Sequence, residues 1–151
     1  MNGAGISELL SEHWHTKRIF RGVYASDRLP KHVPKGIAHA FVINTDPHDK
    51  PGTHWVAIYI SPFGKIVYFD SFGMAPFPKT IEIFVHRHGS HLQTNPITLQ
   101  SFNARTCGLY CVLFIEHMCN GGGLAGFLQL FDPLSPIAND RKIQALFQRR
   151  V

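Results

Sequence analysis

The chain has 151 residues, which is enough for one domain spanning residues 1–151 and too few for a second of typical size. Hydrophobic residues make up 44% of it and charged residues 17%, so intrinsic disorder is excluded, and no apolar run approaches the roughly 18 residues that span a membrane. Fifteen basic against ten acidic residues give a net charge of +5, so the surface is expected to attract polyanions.

The first third of the chain predicts one helix and one buried strand. Apolar side chains at positions 6, 9, 10 and 14 follow a helical stripe, which predicts a short amphipathic helix over residues 6–14. This start lacks the order of a signal peptide, so secretion is not predicted. Residues 22–36 contain two prolines without a clear period, which indicates an irregular, exposed connection, whereas residues 38–43 are short and apolar and predict a buried strand.

A β-hairpin is predicted in the middle of the chain. Residues 54–60 and 65–70 are rich in β-branched and aromatic side chains and are separated by Ser61-Pro62-Phe63-Gly64. The proline suits the second position of a type I turn, and the glycine suits the left-handed residue that follows it. Ser61 therefore faces Lys65, and this pairing sets the register of both strands.

The remaining elements give an α+β architecture. Helices are predicted over residues 79–88, 107–119 and 137–150, and a short strand over residues 97–100. Three glycines at 121–123 mark the end of the second of these helices. We expect a small mixed or antiparallel sheet packed on a central apolar helix that begins at Cys107.

Three residues in this arrangement predict nucleophilic catalysis. The hairpin register makes Asp70 the diagonal neighbour of His54 on one face, at roughly 7 to 8 Å, so the imidazole and the carboxylate can hydrogen-bond. A histidine and the acid that orients it are two members of a catalytic triad, and the third member is a nucleophile. Cys107 is the best candidate, because it follows the turn-like residues 103–106 and begins a helix whose N-terminal N–H groups favour a thiolate.

The cysteines also allow less specific interpretations. All three, at 107, 111 and 119, lie in one predicted helix. The last two are eight residues apart, about 12 Å along the axis, so a disulfide between them is not predicted, and an unbridged cluster suits a reducing compartment. From the residues alone, a catalytic thiol, a metal site and plain core cysteines all stay open, with His54 as an ordinary strand histidine in the last case.

Three motifs resemble the adenovirus protease (adenain) family, which includes relatives from virus-like transposons and is distantly related to the ubiquitin-like-protein proteases. They are Gly52-Thr53-His54-Trp55, Tyr68-Phe69-Asp70-Ser71-Phe72-Gly73, and Gln100 seven residues before Cys107-Gly108-Leu109-Tyr110-Cys111. The likeness extends from about residue 20 to residue 119. It implies an adenain-like cysteine protease fold, with His54 as general base, Asp70 as its acidic partner, Cys107 as nucleophile and Gln100 as a side-chain donor of the oxyanion hole. Trp55 is expected to cover the imidazole.

The resemblance implies a cysteine endopeptidase that cleaves viral or virus-like precursor proteins during particle maturation, next to small residues such as Gly-Gly or Gly-Ala. The expected location is the virion, or the nucleus or cytoplasm of the infected cell, and no cofactor, metal or membrane partner is predicted. The family's peptide activator is attached through a cysteine, which residues 94–99 lack, so any such peptide would bind here without a covalent bond. Non-specific DNA binding is open to the basic residues Lys17, Arg18, Arg21, Lys31, Lys35, Arg141, Lys142, Arg149 and Arg150.

The same residues are compatible with other functions. Within the same clan, an isopeptidase acting on ubiquitin-like proteins or an acyl-transferase would use the same triad. From another class, a basic zinc- or DNA-binding module could use His86, His88, His91 and the cysteines, although no Cys-x-x-Cys pair is present. A catalytically silent capsid or scaffold component is disfavoured by the complete set of four site residues.

Overall fold

A computed structural model describes residues 1–150. The helices are α1 Gly3–Glu12, α2 Trp14–Lys17, α3 Lys79–His88, α4 Cys107–Cys119, α5 Leu124–Leu128 and α6 Pro136–Gln148. The strands are β1 Phe20–Ala25, β2 His39–Asn44, β3 Trp55–Ile60, β4 Lys65–Phe69 and β5 His91–Thr94. They form one sheet in the order β1-β2-β3-β4-β5, in which the two outer pairs are parallel and the two inner pairs antiparallel. None of the helices within this range is long and apolar enough to cross a membrane.

The predicted hairpin and its register are confirmed. In the β3–β4 pair, Ala57 faces Phe69 and Ile60 faces Ile66, the pairing that follows from placing Ser61 opposite Lys65. The Ser61 N–H donates to the Lys65 carbonyl at 2.8 Å, and Gly64 has φ +84°, a left-handed conformation that a glycine adopts without strain. This register brings the residues just beyond the open end of the hairpin, His54 and Asp70, onto one face of the sheet.

Two strand predictions were wrong, one at each edge of the sheet. Part of the segment predicted as an irregular connection is β1, which pairs in parallel with β2 but stays half-exposed, so its sequence carries little of the apolar signal of a core strand. No strand forms at residues 97–100, where the N–H groups of Leu99 and Gln100 instead donate to the carbonyl of Ser71. The fifth strand is β5, just before that segment.

The helical predictions differ from the structure mainly at the ends of the chain. The residue ranges of α3 and α4 are those predicted, and α6 begins one residue earlier and ends two residues earlier than expected. The first helix stops at Glu12, and Trp14, predicted to lie on its apolar stripe, begins the separate helix α2 and is 70% exposed. The short helix α5 was not predicted.

The sheet separates two apolar clusters, and alternate side chains of its inner strands supply both. One face packs on α4 and the other on α3. In β2, for example, Val42 belongs to the α4 side and Phe41 to the α3 side. Because α4 is enclosed between the sheet and the other helices, it is buried over most of its circumference, as its apolar sequence predicts. Its first turn therefore lies at a fixed place beside the start of β3.

Candidate active site

A cleft of about 660 Å³ lies where the start of β3, the loop after β4 and the N-terminus of α4 meet. It brings together three of the four predicted site residues, and the fourth, Asp70, lies behind His54. The lining residues are Met1, Gly52, Thr53, His54, Trp55, Phe72, Gln100, Phe102, Ala104, Arg105 and Cys107. No acidic side chain faces the cleft, and Phe102 at its rim is 90% exposed. The sequence-distant motifs are thus assembled at one solvent-accessible place.

His54 and Asp70 form the hydrogen-bonded pair that the hairpin register predicts. The Nε2 atom of His54 lies 2.8 Å from Oδ1 of Asp70, which also accepts the backbone N–H of Phe72 at 2.8 Å. A carboxylate can only accept, so neutral His54 carries its proton on Nε2. Its Nδ1 lone pair is then available to take a proton from a thiol.

Cys107 is held in surroundings that favour its thiolate. Burial raises the pKa of this thiol, but hydrogen bonds with His54 and with the backbone N–H groups of Trp55 and Gly108 outweigh burial, so the pKa is lowered overall. Burial lowers the pKa of His54, but its interactions with Asp70 and Cys107 raise it to about 9. Each group therefore favours the charged form of the other, the thiolate of Cys107 and the imidazolium of His54.

The side-chain amide of Gln100 is fixed beside this pair. Its Oε1 accepts the buried hydroxyl of Ser71 at 2.6 Å, and its Nε2 donates to the carbonyl of Ala104 at 2.7 Å. An amide nitrogen has two hydrogens, so one is left to point toward the cleft. As the first residue of α4, Cys107 also has a backbone N–H without an intrahelical acceptor.

The aromatic ring that lies against the imidazole is Phe72, and not Trp55 as expected. The ring centroids of His54 and Phe72 are 4.9 Å apart. The indole of Trp55 turns toward the N-terminal segment, where its Nε1 donates to the Met1 carbonyl at 3.3 Å. The reason is the strand's alternation of faces, which sends the side chains of successive residues in opposite directions.

Two further buried residues support the site and were missed in the sequence. Asn95 accepts the Asp70 N–H at 2.9 Å and donates to the Asp70 carbonyl at 2.7 Å, which fixes the backbone at the end of β4. Asp140 of α6 accepts hydrogen bonds from the segment between Gln100 and Cys107. The sequence did contain a signal for Asp140, since it occupies the helical stripe of Ile143 and Phe147 and so had to be buried.

The structure does not assemble the alternative sites. Within residues 1–150, no three His, Cys, Asp or Glu side chains lie close enough together to hold a metal ion. Three of the nine basic residues proposed for DNA are engaged elsewhere: Arg21 donates to His39, Lys142 to the Leu130 carbonyl and Arg150 to Glu116. DNA binding stays a prediction that rests on charge.

Comparison with known proteins identifies adenovirus proteases as relatives. The chain is 27% identical over 152 aligned positions to the protease of bovine adenovirus 4, covering 89% of this chain and 75% of that protease. It is 25% identical over 131 positions to the protease of ovine adenovirus D serotype 7, covering 76% of this chain and 65% of the relative. The chain thus spans about two thirds to three quarters of these relatives. No family model matches it.

Solved structures support the same class of protein. The fold matches the ASFV protease with a TM-score of 0.51 and 23% identity over 68% of this chain and 43% of that one. It matches the SUMO protease Ulp1, which has a catalytic cysteine, with a TM-score of 0.52 and 17% identity over 95% of this chain and 74% of that one. The fold is that of a cysteine protease. The resemblance to the adenovirus proteases, and the distant one to ubiquitin-like-protein proteases, are confirmed.

Proposed function

We propose that this chain is a single cysteine protease domain, 1–151, that acts as an endopeptidase through Cys107, His54, Asp70 and Gln100. The observation that carries the proposal is the 2.8 Å bond between His54 and Asp70. It leaves the second imidazole nitrogen for a thiol whose pKa is lowered, at the start of a helix that lines an open cleft. A structural cysteine and a satisfied strand histidine would need none of these relationships.

Each proposed residue has a definite step in peptide cleavage. The Cys107 thiolate attacks the carbonyl carbon of the scissile bond, and the negative charge moves to the carbonyl oxygen, where the Gln100 amide and the Cys107 backbone N–H donate hydrogen bonds. His54, as imidazolium, protonates the leaving amine as the C–N bond breaks, which leaves a thioester on Cys107. The neutral imidazole then takes a proton from water as the oxygen of that water attacks the thioester. The C–S bond breaks, and the acid product leaves with the Cys107 thiolate and the His54 imidazolium restored.

The proposed substrates are viral or virus-like precursor proteins cut next to small residues during particle maturation, in the virion or in the nucleus or cytoplasm of the infected cell. This part rests on the relatives, which are named as adenovirus proteases. A peptide activator held without a covalent bond and non-specific DNA are the proposed further partners. The non-covalent peptide fits the absence of cysteine from residues 94–99, and DNA fits the net charge of +5.

A peptide panel tests this substrate class. We expect cleavage of peptides that contain Gly-Gly or Gly-Ala and none of matched peptides with Val-Val at the same place, measured by mass spectrometry with and without DNA. Ubiquitin-like proteins joined through an isopeptide bond form a separate arm. Turnover in that arm alone would replace the endopeptidase by the isopeptidase, and no turnover in any arm would contradict a protease.

The pH dependence of thiol alkylation provides a test that needs no substrate. Iodoacetamide reacts with the thiolate, so Cys107 should be labelled at a lower pH than an ordinary thiol. Burial raises the pKa of Cys111 well above the usual range and that of Cys119 to about 11, so neither should label in this range. Peptide cleavage should fall as the pH passes about 9, because His54 then loses the proton that the leaving amine needs. Labelling of Cys107 only at the pH of a free thiol would contradict the ion pair.

A further inference from the structure

A buried carboxylate lies outside the proposed triad and binds the loop of residues 101–106 that leads to Cys107. Asp140 of α6 is only 6% exposed, and no lysine, arginine or histidine among residues 1–150 forms a salt bridge with it. Burying a carboxylate without a positive partner costs free energy unless several donors surround it. Asp140 has four donors, and all of them come from one short stretch of chain.

The four donors lie at the two ends of the segment that joins Gln100 to Cys107 and in the first turn of α4. Oδ2 accepts the backbone N–H of Ser101 at 3.0 Å and its hydroxyl at 2.5 Å. Oδ1 accepts the hydroxyl of Thr106 at 2.8 Å and that of Tyr110 at 3.0 Å. Ser101 directly follows Gln100, and Thr106 directly precedes Cys107. One carboxylate therefore holds the neighbour of each proposed oxyanion donor.

The bond to Thr106 has a second effect at the start of α4. Thr106 is the residue before the first turn, where a threonine hydroxyl commonly accepts an N–H of the helix. Here its hydroxyl donates to Asp140 instead and caps no N–H group. The N–H groups at the helix start, including that of Cys107, are left for other acceptors.

The neighbouring residue strengthens the same attachment. Asn139 donates to the Leu99 carbonyl at 3.1 Å, and the single hydroxyl hydrogen of Tyr110, which donates to Asp140 at 3.0 Å, is shared with that carbonyl at 3.3 Å. Burial and the adjacent carboxylate raise the pKa of Tyr110, so its hydroxyl stays protonated and able to donate. The start of α6 thus contacts the chain on both sides of Gln100.

We propose that Asp140 is a positioning residue, which fixes the Gln100 amide and the Cys107 N–H at the separation that the oxyanion of the transition state requires. This inference rests on the proposed function. Asp140 contacts neither His54 nor the Cys107 sulfur, so it acts on stabilisation of the oxyanion and not on formation of the thiolate. An ordinary anchor of α6 would affect both equally, through loss of folded protein.

The experiment compares Asp140→Asn with two other variants. Asparagine keeps the volume but replaces one acceptor oxygen by a donor, so the bonds to that oxygen, either those from Ser101 or those from Thr106 and Tyr110, are lost. We expect kcat for a Gly-Gly peptide to fall about 10- to 100-fold with KM within about threefold, since small misplacements of oriented groups have effects of this size. The iodoacetamide rate at Cys107 should stay within about twofold of the original chain. Ser101→Ala should show the same pattern with a smaller loss.

Glu116→Gln is the matched control. It weakens the pair between Glu116 of α4 and Arg150, two residues beyond the end of α6, at 2.8 Å, without touching the loop. It should lower the melting temperature while leaving kcat unchanged.

A double-mutant cycle with Gln100→Ala gives the second readout. If Asp140 acts through the oxyanion donors, the loss in Asp140→Asn plus Gln100→Ala is smaller than the product of the two single losses. A product of independent losses, or a parallel fall in alkylation rate, would overturn the positioning role. The loss of kcat can be measured only if the unmodified chain cleaves the peptide, whereas alkylation of Cys107 can be measured in either case. An unmodified chain that cleaves no peptide therefore contradicts the proposed protease function and leaves the role of Asp140 to be judged by the variants.

Discussion

Cys107→Ala should abolish peptide cleavage while the chain stays folded. The substitution removes the only thiol among the residues that line the cleft, and without it no thioester can form, so we expect turnover to fall to the uncatalysed background. The side chain that is lost is small, and its first-turn position in α4 suits alanine, so the melting temperature should change by only a few degrees. Cleavage assays and thermal unfolding on the same preparation measure the two effects.

Cys111→Ala and Cys119→Ala are the controls within the same helix. Cys111 is fully buried among the core residues of α4, and its replacement should cost stability, on the order of 1 kcal/mol, through the small cavity it leaves. Cys119, at the end of the helix, is only partly buried. Both variants should keep turnover near that of the original chain. Full turnover in Cys107→Ala would rule out the mechanism.

His54→Ala should be nearly as damaging as loss of the thiol. The imidazole both stabilises the thiolate and supplies the proton for the leaving amine, so base and nucleophile act as one unit and the combined variant should lose little more than either alone. The rate of Cys107 alkylation near neutral pH should also fall, because the hydrogen bond and charge of His54 no longer lower the pKa of the thiol. A His54→Ala chain that alkylates and cleaves normally would remove this residue from the site.

Asp70→Asn separates orientation from proton transfer. An asparagine can still contact Nε2 of His54 and accept from Phe72, so the imidazole keeps part of its orientation. We expect a milder loss than in His54→Ala, with the alkaline limb of cleavage moved to lower pH, since the carboxylate is one cause of the raised pKa of His54. The sign follows from the direction of the shift, because a raised pKa keeps the imidazolium to higher pH.

The pairing of His54 with Asp70 was predictable because a hairpin of known turn type fixes which residues face each other. Pro62 and Gly64 determine the loop, the loop determines the register, and the register places His54 beside Asp70. The position of Cys107 was predictable for a different reason, since an apolar segment bounded by turn residues has a recognisable start. The hairpin register and the start of α4 both depend on residues that are close together in the sequence, so a single sequence is enough to predict them.

The supports of the site could not be predicted because their partners are far apart in sequence. Asp140 and Ser101 are 39 residues apart, and Asn95 and Asp70 are 25 apart, so no local pattern pairs them. The edge strands β1 and β5 were missed for a similar reason, since half-exposed strands at the margin of a sheet lack the alternation that marks inner ones. Residues 97–100 alternate apolar and polar side chains, as a strand does, but are fixed by turn contacts to Ser71.

The place of Asp140 in the chain has a consequence for biosynthesis. During translation, His54, Asp70, Gln100 and Cys107 leave the ribosome before α6 does, and the carboxylate that joins the two flanks of the nucleophile's loop follows Cys107 by 33 residues. An incomplete chain therefore contains every proposed reactive group but lacks the contact that, in our proposal, sets the separation of the Gln100 amide and the Cys107 N–H. Full turnover then requires that α6 has been made and has packed against the loop.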